Sequence, residues 1–115
     1  MPEDQAKAID ADFSVVRGRL ATQREDAFER NPALLFRAFL IMQERADIDG
    51  ISAPTLRAMW HARRRIDSQF RQNPVNRRQF IQIFQQPRGL VHALRRMTML
   101  NILPRYLPVF RRIVG

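Results

Sequence analysis

Arginine is the most abundant of the side chains in this sequence that could take part in binding or catalysis. All but one of its 20 basic residues are arginine, and with 11 acidic residues the formal net charge is +9. Residues 68–115 hold nine arginines and no carboxylate, whereas residues 1–67 are neutral. A guanidinium binds carboxylates and phosphates through paired hydrogen bonds. The sequence therefore predicts an anion- or partner-binding surface, and its candidate residues are Arg71, Arg77, Arg78, Arg88, Arg95 and Arg96.

The same arginines have a simpler interpretation as a solvated helix face. Their stems would cover apolar surface, and some would pair with Glu29, Glu44 or Asp67. Base-stacking aromatic residues do not alternate with the basic ones, which favours this interpretation over phosphate binding. Arg64 follows Trp60 by four residues, a spacing that also permits cation–π packing.

The other reactive residue types are too few or too scattered for a catalytic site. His61 and His92 stand 31 positions apart, and neither has a second ligand at helical spacing. Asp47 and Asp49 precede Gly50 without the remaining ligands of a calcium loop. With four glycines in the chain, neither a P-loop nor a dinucleotide fingerprint can be built. The sequence alone therefore predicts no catalytic, cofactor-binding or metal-binding residue.

The N-terminal part, which precedes these arginines, shows extended rather than helical signals. Residues 1–8 are polar and aperiodic and are predicted to form a flexible tail. Phe13, Val15 and Val16 precede Gly18, a pattern that predicts an extended segment or a short hairpin. A single helical turn is expected within residues 25–30.

Four main helices are predicted in the rest of the chain from apolar residues at three- and four-residue spacing. Capping residues and prolines mark their starts at Asn31-Pro32, Ser52, Asn73-Pro74 and Gln86-Pro87. The second helix is expected to continue through Ile66 and Phe70. The fourth is expected to end before Asn101, which tolerates the left-handed conformation of a helix end.

These elements predict an all-α fold, a small bundle or array of four main helices with a short extended N-terminal segment. A short final helix or turn carries Tyr106, Phe110 and Ile113. The predicted domain is single and covers residues 9–115. The absence of cysteine excludes a disulfide scaffold, and no apolar stretch is long enough to cross a bilayer. These properties are typical of a cytoplasmic globular domain.

The last helices carry a resemblance to a known family. The run from Gln86 to Met97 and the run from Leu103 to Gly115 resemble the bacterial bifunctional uridylyltransferase/uridylyl-removing enzymes, which modify the nitrogen-regulatory protein PII. Phe13–Leu20 and Asn31-Pro32 agree with the same family in the same order. The similarity therefore covers about residues 9–115.

The resemblance implies a place between two catalytic domains. In this family a nucleotidyltransferase domain precedes the region and an HD-type metal-dependent hydrolase domain follows it. The chain would then be a fragment that stops just before the hydrolase. The family's paired aspartates and its His-Asp metal ligands match no position here. The parent would use UTP and magnesium to transfer UMP to PII, and it would remove the UMP by hydrolysis.

The resemblance also implies an indirect role for the fragment itself. It would be inactive alone and need no cofactor, and it would position the neighbouring domains. Its arginines would help to hold the acidic neighbour domain, PII or nucleotide phosphates. Two alternatives remain, namely a basic helical nucleic-acid-binding module with steep salt dependence and a purely structural linker. The resemblance argues against nucleic acid and against a membrane as partners.

Overall fold

The computed structural model describes residues 6–108, and in them the chain forms a four-stranded sheet and seven helices. The strands are β1 (Lys7–Ala8), β2 (Phe13–Val16), β3 (Arg19–Thr22) and β4 (Gly50–Ile51). The helices are α1 (Ala27–Arg30), α2 (Leu34–Glu44), α3 (Ala53–Ala62), α4 (Ser68–Gln72), α5 (Pro74–Gln85), α6 (Leu90–Met99) and α7 (Leu103–Tyr106). The prediction of an all-α fold is therefore wrong, because the fold is mixed α/β.

A hairpin formed by β2 and β3 confirms the extended signal near the N-terminus. The two strands pair antiparallel, with Val16 opposite Arg19. The turn residues Arg17 and Gly18 have φ angles of 54° and 76°. Two consecutive positive φ angles are those of a type I′ turn, which matches the natural twist of paired strands. On the outer side, β1 pairs antiparallel with β2 and overlaps the tail predicted over residues 1–8.

The sheet is completed by β4, which lies parallel to β3. Gly50 is opposite Arg19 and Ile51 is opposite Leu20, and the Ser52 N–H donates to the Leu20 carbonyl at 2.9 Å. No strand is predicted in this segment from the sequence. A strand of two residues carries no apolar alternation from which it could be recognised, and it forms because β3 offers an unpaired edge.

An acidic residue fixes the turn between β1 and β2. The Asp10 carboxylate accepts hydrogen bonds from the backbone N–H groups of Asp12 and Phe13, each at 2.8 Å, and lies 2.7 Å from the Arg37 guanidinium. Partial burial raises the pKa of Asp10, but hydrogen bonds from Arg37 and from the two N–H groups lower it more, so that its pKa lies below the ordinary value. This side chain therefore connects α2 to the sheet.

The lowered pKa of Asp10 gives a pH-dependent contribution to stability. Because the folded state holds the carboxylate in its charged form, the contribution is present above a pH of about 4 and is lost as the pH falls through the folded pKa. We expect Asp10→Asn to be less stable at pH 7 and to lose less stability than the wild type between pH 5 and pH 2. Urea unfolding at each pH measures this difference. Parallel losses in the two proteins would contradict it.

Of three predicted helix starts, two are confirmed and one is wrong. The predictions at Ser52 and Asn73 are confirmed, because their side chains accept hydrogen bonds from the N–H groups of Thr55 and Val75. The prediction at Asn31 is wrong, since α2 begins at Leu34 and Asn31 instead ends α1. Asn31 is the C-terminal cap of α1, the helical turn immediately before it, and therefore does not start α2.

The second and fourth predicted helices differ from the observed ones. The second ends at Ala62, and after a 3₁₀ turn over Arg63–Arg65 the carboxylate of Asp67 accepts from the Phe70 N–H and starts α4. The apolar spacing through Phe70 is real, but a new cap interrupts the helix. The fourth helix begins at Leu90 rather than at Gln86-Pro87, and Gly89 precedes it with a φ of 78°.

The end of α6 is as predicted. Asn101 has a φ of 59°, in the left-handed region. The N–H of Ile102 donates to the Met97 carbonyl at 2.8 Å, and the N–H of Asn101 donates to the Thr98 carbonyl at 3.0 Å. These two bonds form a Schellman motif, which the buried side chains of Ile102 and Met97 accompany. The predicted positions of Phe110 and Ile113 lie outside the described residues.

Aromatic rings join the helices in the core. Phe36 of α2 is fully buried, and its ring centroid lies 5.5 Å from that of Phe70, 5.4 Å from that of Phe80 and 4.8 Å from that of Tyr106. Burial raises the pKa of the Tyr106 hydroxyl, an effect that the charge of Arg77 partly offsets. Apolar residues at helical spacing thus form the core at this point. Four helices thus meet at Phe36, and this cluster holds α4, α5 and α7 against α2.

Candidate functional site

The six candidate arginines are distributed over the C-terminal helices. Arg71 lies on α4, Arg77 and Arg78 on α5, Arg88 between α5 and α6, and the last two, Arg95 and Arg96, on α6. They do not form one uniform surface. Three of them contact atoms of their own chain, and three project from exposed positions. This division separates arginines that support the fold from arginines that are free to meet a partner.

Two arginines form a relay of hydrogen bonds that joins distant helices. Arg71 donates from Nε to the Arg105 carbonyl at 2.9 Å, and Arg105 donates from Nε to the Arg63 carbonyl at 2.8 Å. These bonds link α4 to α7 and α7 to the 3₁₀ turn after α3. A guanidinium that satisfies a backbone carbonyl supplies a charge-assisted hydrogen bond. The relay therefore makes Arg71 a structural residue.

Arg88 closes the C-terminal end of α2. Its Nε donates to the Gln43 carbonyl at 3.1 Å and its Nη2 to the Glu44 carbonyl at 3.3 Å. The last carbonyls of a helix have no partner within the helix, and a cation is favourable beside them. On α6, Arg96 lies 4.0 Å from the Met42 sulfur through its Nη1. Both side chains thus tie the α5–α6 region to the end of α2.

Truncating an arginine that contacts its own chain should affect stability more than truncating an exposed one. Arg88→Ala should destabilise the chain by about 1 kcal/mol, because two backbone carbonyls lose a charged donor at a partly exposed site. Arg95→Ala should change stability by less than about 0.5 kcal/mol, as is usual for an exposed surface position. Urea unfolding of the two variants measures the difference. Equal losses would show that Arg88 does not support the end of α2.

The exposed arginines are Arg77, Arg78 and Arg95, and within residues 6–108 none of them forms an ion pair. Apolar side chains lie exposed on the same two helices. The exposed fractions are 55% for Ile81, 43% for Phe84 and 64% for Val91. We refer to the following six residues as the α5–α6 surface: Arg77, Arg78, Ile81, Phe84, Val91 and Arg95.

The exposure of the apolar residues in this surface was not predicted from the sequence. Ile81 and Phe84 occur in the same apolar pattern as Ile83, which is fully buried against the core. Residue spacing separates Ile81 and Phe84 from Ile83. Ile81 follows Arg77 by four residues and Phe84 follows Ile81 by three, so these three side chains share one side of α5. This side turns away from Ile83.

A groove runs along the other side of α6. One cavity of about 240 Å³ is lined in part by Gln43, Asp49, His92 and Arg96. A second cavity of about 420 Å³ includes Asp49, Arg96 and Arg19 in its lining. The cations in the groove favour an anionic ligand, but the Asp49 carboxylate opposes one. Among residues 6–108, no group of three or more His, Cys, Asp or Glu side chains could hold a metal ion.

The N-terminal arginines are largely neutralised by neighbouring carboxylates. Ion pairs join Arg45 to Asp47 at 2.7 Å and Arg65 to Glu29 at 2.9 Å. Hydrogen bonds from Arg45 hold the pKa of Asp47 below its ordinary value. The cation–π pair also differs from the expectation at Arg64, because the Cζ of Arg63 lies 3.6 Å from the Trp60 ring centroid. The unbalanced charge of the protein therefore resides on the C-terminal helices.

Comparison with known proteins gives a family-level match over most of the chain. The family model described as "Uridylyltransferase GlnD third domain" matches residues 13–106. No solved structure matches the chain. Within residues 6–108, no helix combines the length and the apolar character that crossing a membrane requires.

Individual relatives are similar over nearly the whole chain. The bifunctional uridylyltransferase/uridylyl-removing enzyme of Bordetella avium is 69% identical over 114 residues, which are 99% of this chain and 13% of that protein. The protein of the same description from Bordetella pertussis is 68% identical over the same shares. That of Aromatoleum aromaticum is 47% identical over 110 residues, 96% of this chain and 13% of the relative. The chain thus spans about one eighth of the length of the relatives it matches.

Proposed function

Because the chain belongs to the uridylyltransferase GlnD third-domain family, we propose that it is a positioning domain within a bifunctional uridylyltransferase/uridylyl-removing enzyme. In this proposal it lies between a nucleotidyltransferase domain and an HD-type hydrolase domain of one longer protein. The match over residues 13–106 and the 13% share of the relatives' length support this place. The absence of cysteine is consistent with a cytoplasmic location.

The activity proposed for the parent is the modification of PII. The parent transfers UMP from UTP to PII and removes it by hydrolysis, with magnesium as the metal for the nucleotide. Residues 6–108 do not provide a group of ligands that fits a metal ion. The proposal therefore assigns magnesium to other parts of the parent, and no step of the reaction is derived through this domain.

The observation that carries the positioning role is the division among the arginines. Through bonds to backbone carbonyls, Arg71 joins α4 to α7, Arg105 joins α7 to the 3₁₀ turn after α3, and Arg88 joins the segment between α5 and α6 to the end of α2. The exposed arginines of the α5–α6 surface, by contrast, have no carboxylate of their own half of the chain to pair with. A rigid body with an uncompensated cationic face is suited to holding neighbours in a defined geometry.

Charge reversal in the full-length enzyme tests this role. We expect Arg77→Glu with Arg78→Glu to raise the KM for PII or for UTP about tenfold, which corresponds to about 1.4 kcal/mol of lost binding, while kcat changes little. Steady-state uridylylation with each substrate varied in turn measures the effect. Arg57→Glu on α3 is the matched control, because Arg57 is also exposed but lies outside the α5–α6 surface.

Two other outcomes point to the alternative functions. Unchanged kinetics with normal stability in the charge-reversed enzyme, together with inactivity of an enzyme that lacks the domain, would support a purely structural linker. The relay from Arg71 through Arg105 favours that function over nucleic-acid binding. Titration with duplex and single-stranded DNA at low salt tests the latter, and absence of binding there would remove it.

A further inference from the structure

The α5–α6 surface combines exposed apolar side chains with arginines at close spacing. Ile81 follows Arg77 by four residues and Arg78 by three, and Arg95 follows Val91 by four. At these spacings side chains of one helix are neighbours. The two helices follow each other in the chain and contact each other. Ile81 and Val91 therefore each have an arginine of this surface within one helical turn.

This composition is that of a protein interface rather than of a phosphate-binding surface. Interfaces between proteins combine an apolar centre with a polar rim and are enriched in arginine. Phosphate and nucleic-acid surfaces depend on cations and on stacking aromatic rings. Exposed aliphatic side chains such as Ile81 and Val91, which are 55% and 64% exposed, contribute nothing to phosphate binding. Their presence favours a protein over a nucleotide as the partner.

The charge of the surface specifies the chemistry of its partner. No carboxylate occurs from residue 68 to the end of the chain, so the arginines of the α5–α6 surface are not compensated by their own helices. Burying an unpaired guanidinium is costly, whereas a carboxylate opposite it forms a charge-assisted pair. A surface that covers these helices stably must therefore present aspartate or glutamate opposite Arg77 and Arg95, around an apolar centre.

We propose that the α5–α6 surface docks an acidic, apolar-centred surface of another part of the same longer polypeptide. The inference rests on the proposed function, because it takes the chain as one domain of a protein about eight times its length, as the 13% share in the relatives indicates. A partner in the same polypeptide is present at high effective concentration. A surface with only a few apolar anchors is sufficient under that condition.

Site-specific photo-cross-linking in the full-length protein tests the proposal. A photoreactive diazirine amino acid replaces Ile81 in one variant and Arg57 in a matched control, since Arg57 of α3 is exposed and lies outside the α5–α6 surface. After irradiation, mass spectrometry maps the attached peptide. We expect position 81 to cross-link to a segment rich in aspartate and glutamate of the same polypeptide. Position 57 should not reach that segment.

Hydrogen exchange of the same full-length protein provides the second readout. Ile81→Ser with Val91→Ser removes the apolar centre, and Arg77→Glu with Arg95→Glu reverses the rim. We expect either pair to speed amide exchange in the cross-linked acidic segment about tenfold, the effect of losing about 1.4 kcal/mol of docking free energy. Arg57→Glu is the matched control and should leave exchange unchanged.

Other results would overturn the proposal. These are cross-links from position 81 no stronger than those from position 57, cross-links only to added PII, or cross-links only to a second, isotope-labelled copy of the protein. Exchange that responds to the arginine pair but not to the apolar pair would contradict an apolar centre of the docking surface. The outcome is independent of the kinetic test above, because docking can persist in an enzyme whose KM values do not depend on these arginines.

Discussion

Phe36→Ala should be among the most destabilising substitutions in the chain, with an expected loss of about 3–5 kcal/mol in the free energy of unfolding. Phe36 is fully buried, and its ring packs on those of Phe70, Phe80 and Tyr106, with centroids 4.8–5.5 Å away. Truncation leaves a cavity where α2, α4, α5 and α7 meet. A typical domain is stable by only about 5–15 kcal/mol, so a large part of the total is lost.

Urea unfolding of the 115-residue chain, followed by far-UV circular dichroism, measures this effect. Phe84→Ala is the matched control, because it removes the same ring from a position that is 43% exposed and that contacts Phe80 with a centroid distance of 5.2 Å. We expect this control to cost about 1 kcal/mol. If the two variants unfolded at the same urea concentration, the aromatic cluster would not be the main link among the C-terminal helices.

The core residues could be predicted from the sequence because apolar residues at helical spacing lie on the buried side of a helix. Leu35, Phe36 and Phe39 follow a helical period, and all three are buried in α2. The same period placed Met59 and Met97 in the core, and both are fully buried. Turn chemistry was equally informative at the hairpin and at Asn101, where the residue type itself favours the observed backbone.

Only the two hairpin strands of the sheet could be predicted from the sequence, which is why the predicted fold class was wrong. The hairpin carries its own signal in the β-favouring residues on both sides of Gly18. Strands β1 and β4 have two residues each, and they exist because they hydrogen-bond to the hairpin's free edges. Such pairing depends on which segments the helices bring together. No local pattern in Gly50–Ile51 records it.

The candidate site was predicted in composition but not in geometry. The carboxylate-free stretch correctly drew attention to the C-terminal arginines as the unbalanced charge. Sequence could not show that Arg71 and Arg88 donate to carbonyls 34 and 45 residues away. Contacts at such separations follow from the tertiary fold alone. Likewise, the period that makes α5 amphipathic does not say how wide its buried side is, so the exposure of Ile81 was not foreseen.

Gly89→Ala should destabilise the chain by about 2 kcal/mol, because the position combines an unfavourable backbone with a close neighbour. Gly89 has a φ of 78°, and the left-handed region costs a residue with a Cβ about 1–2 kcal/mol. An added Cβ would also lie 3.1 Å from Cγ of Gln43. Gln43 cannot yield freely, since it is buried and its Nε2 donates to the Ile83 carbonyl at 3.0 Å.

The matched control for this substitution is Gly50→Ala in β4. A Cβ at Gly50 meets no atom within 4 Å, and the residue is not among the glycines with positive φ. Alanine there should leave stability unchanged or raise it by about 0.4–1 kcal/mol, since it restricts the unfolded chain. Urea unfolding of both variants measures the difference. A loss at Gly50 as large as that at Gly89 would mean that the cost arises from glycine replacement in general, and not from the junction of α2 with α6.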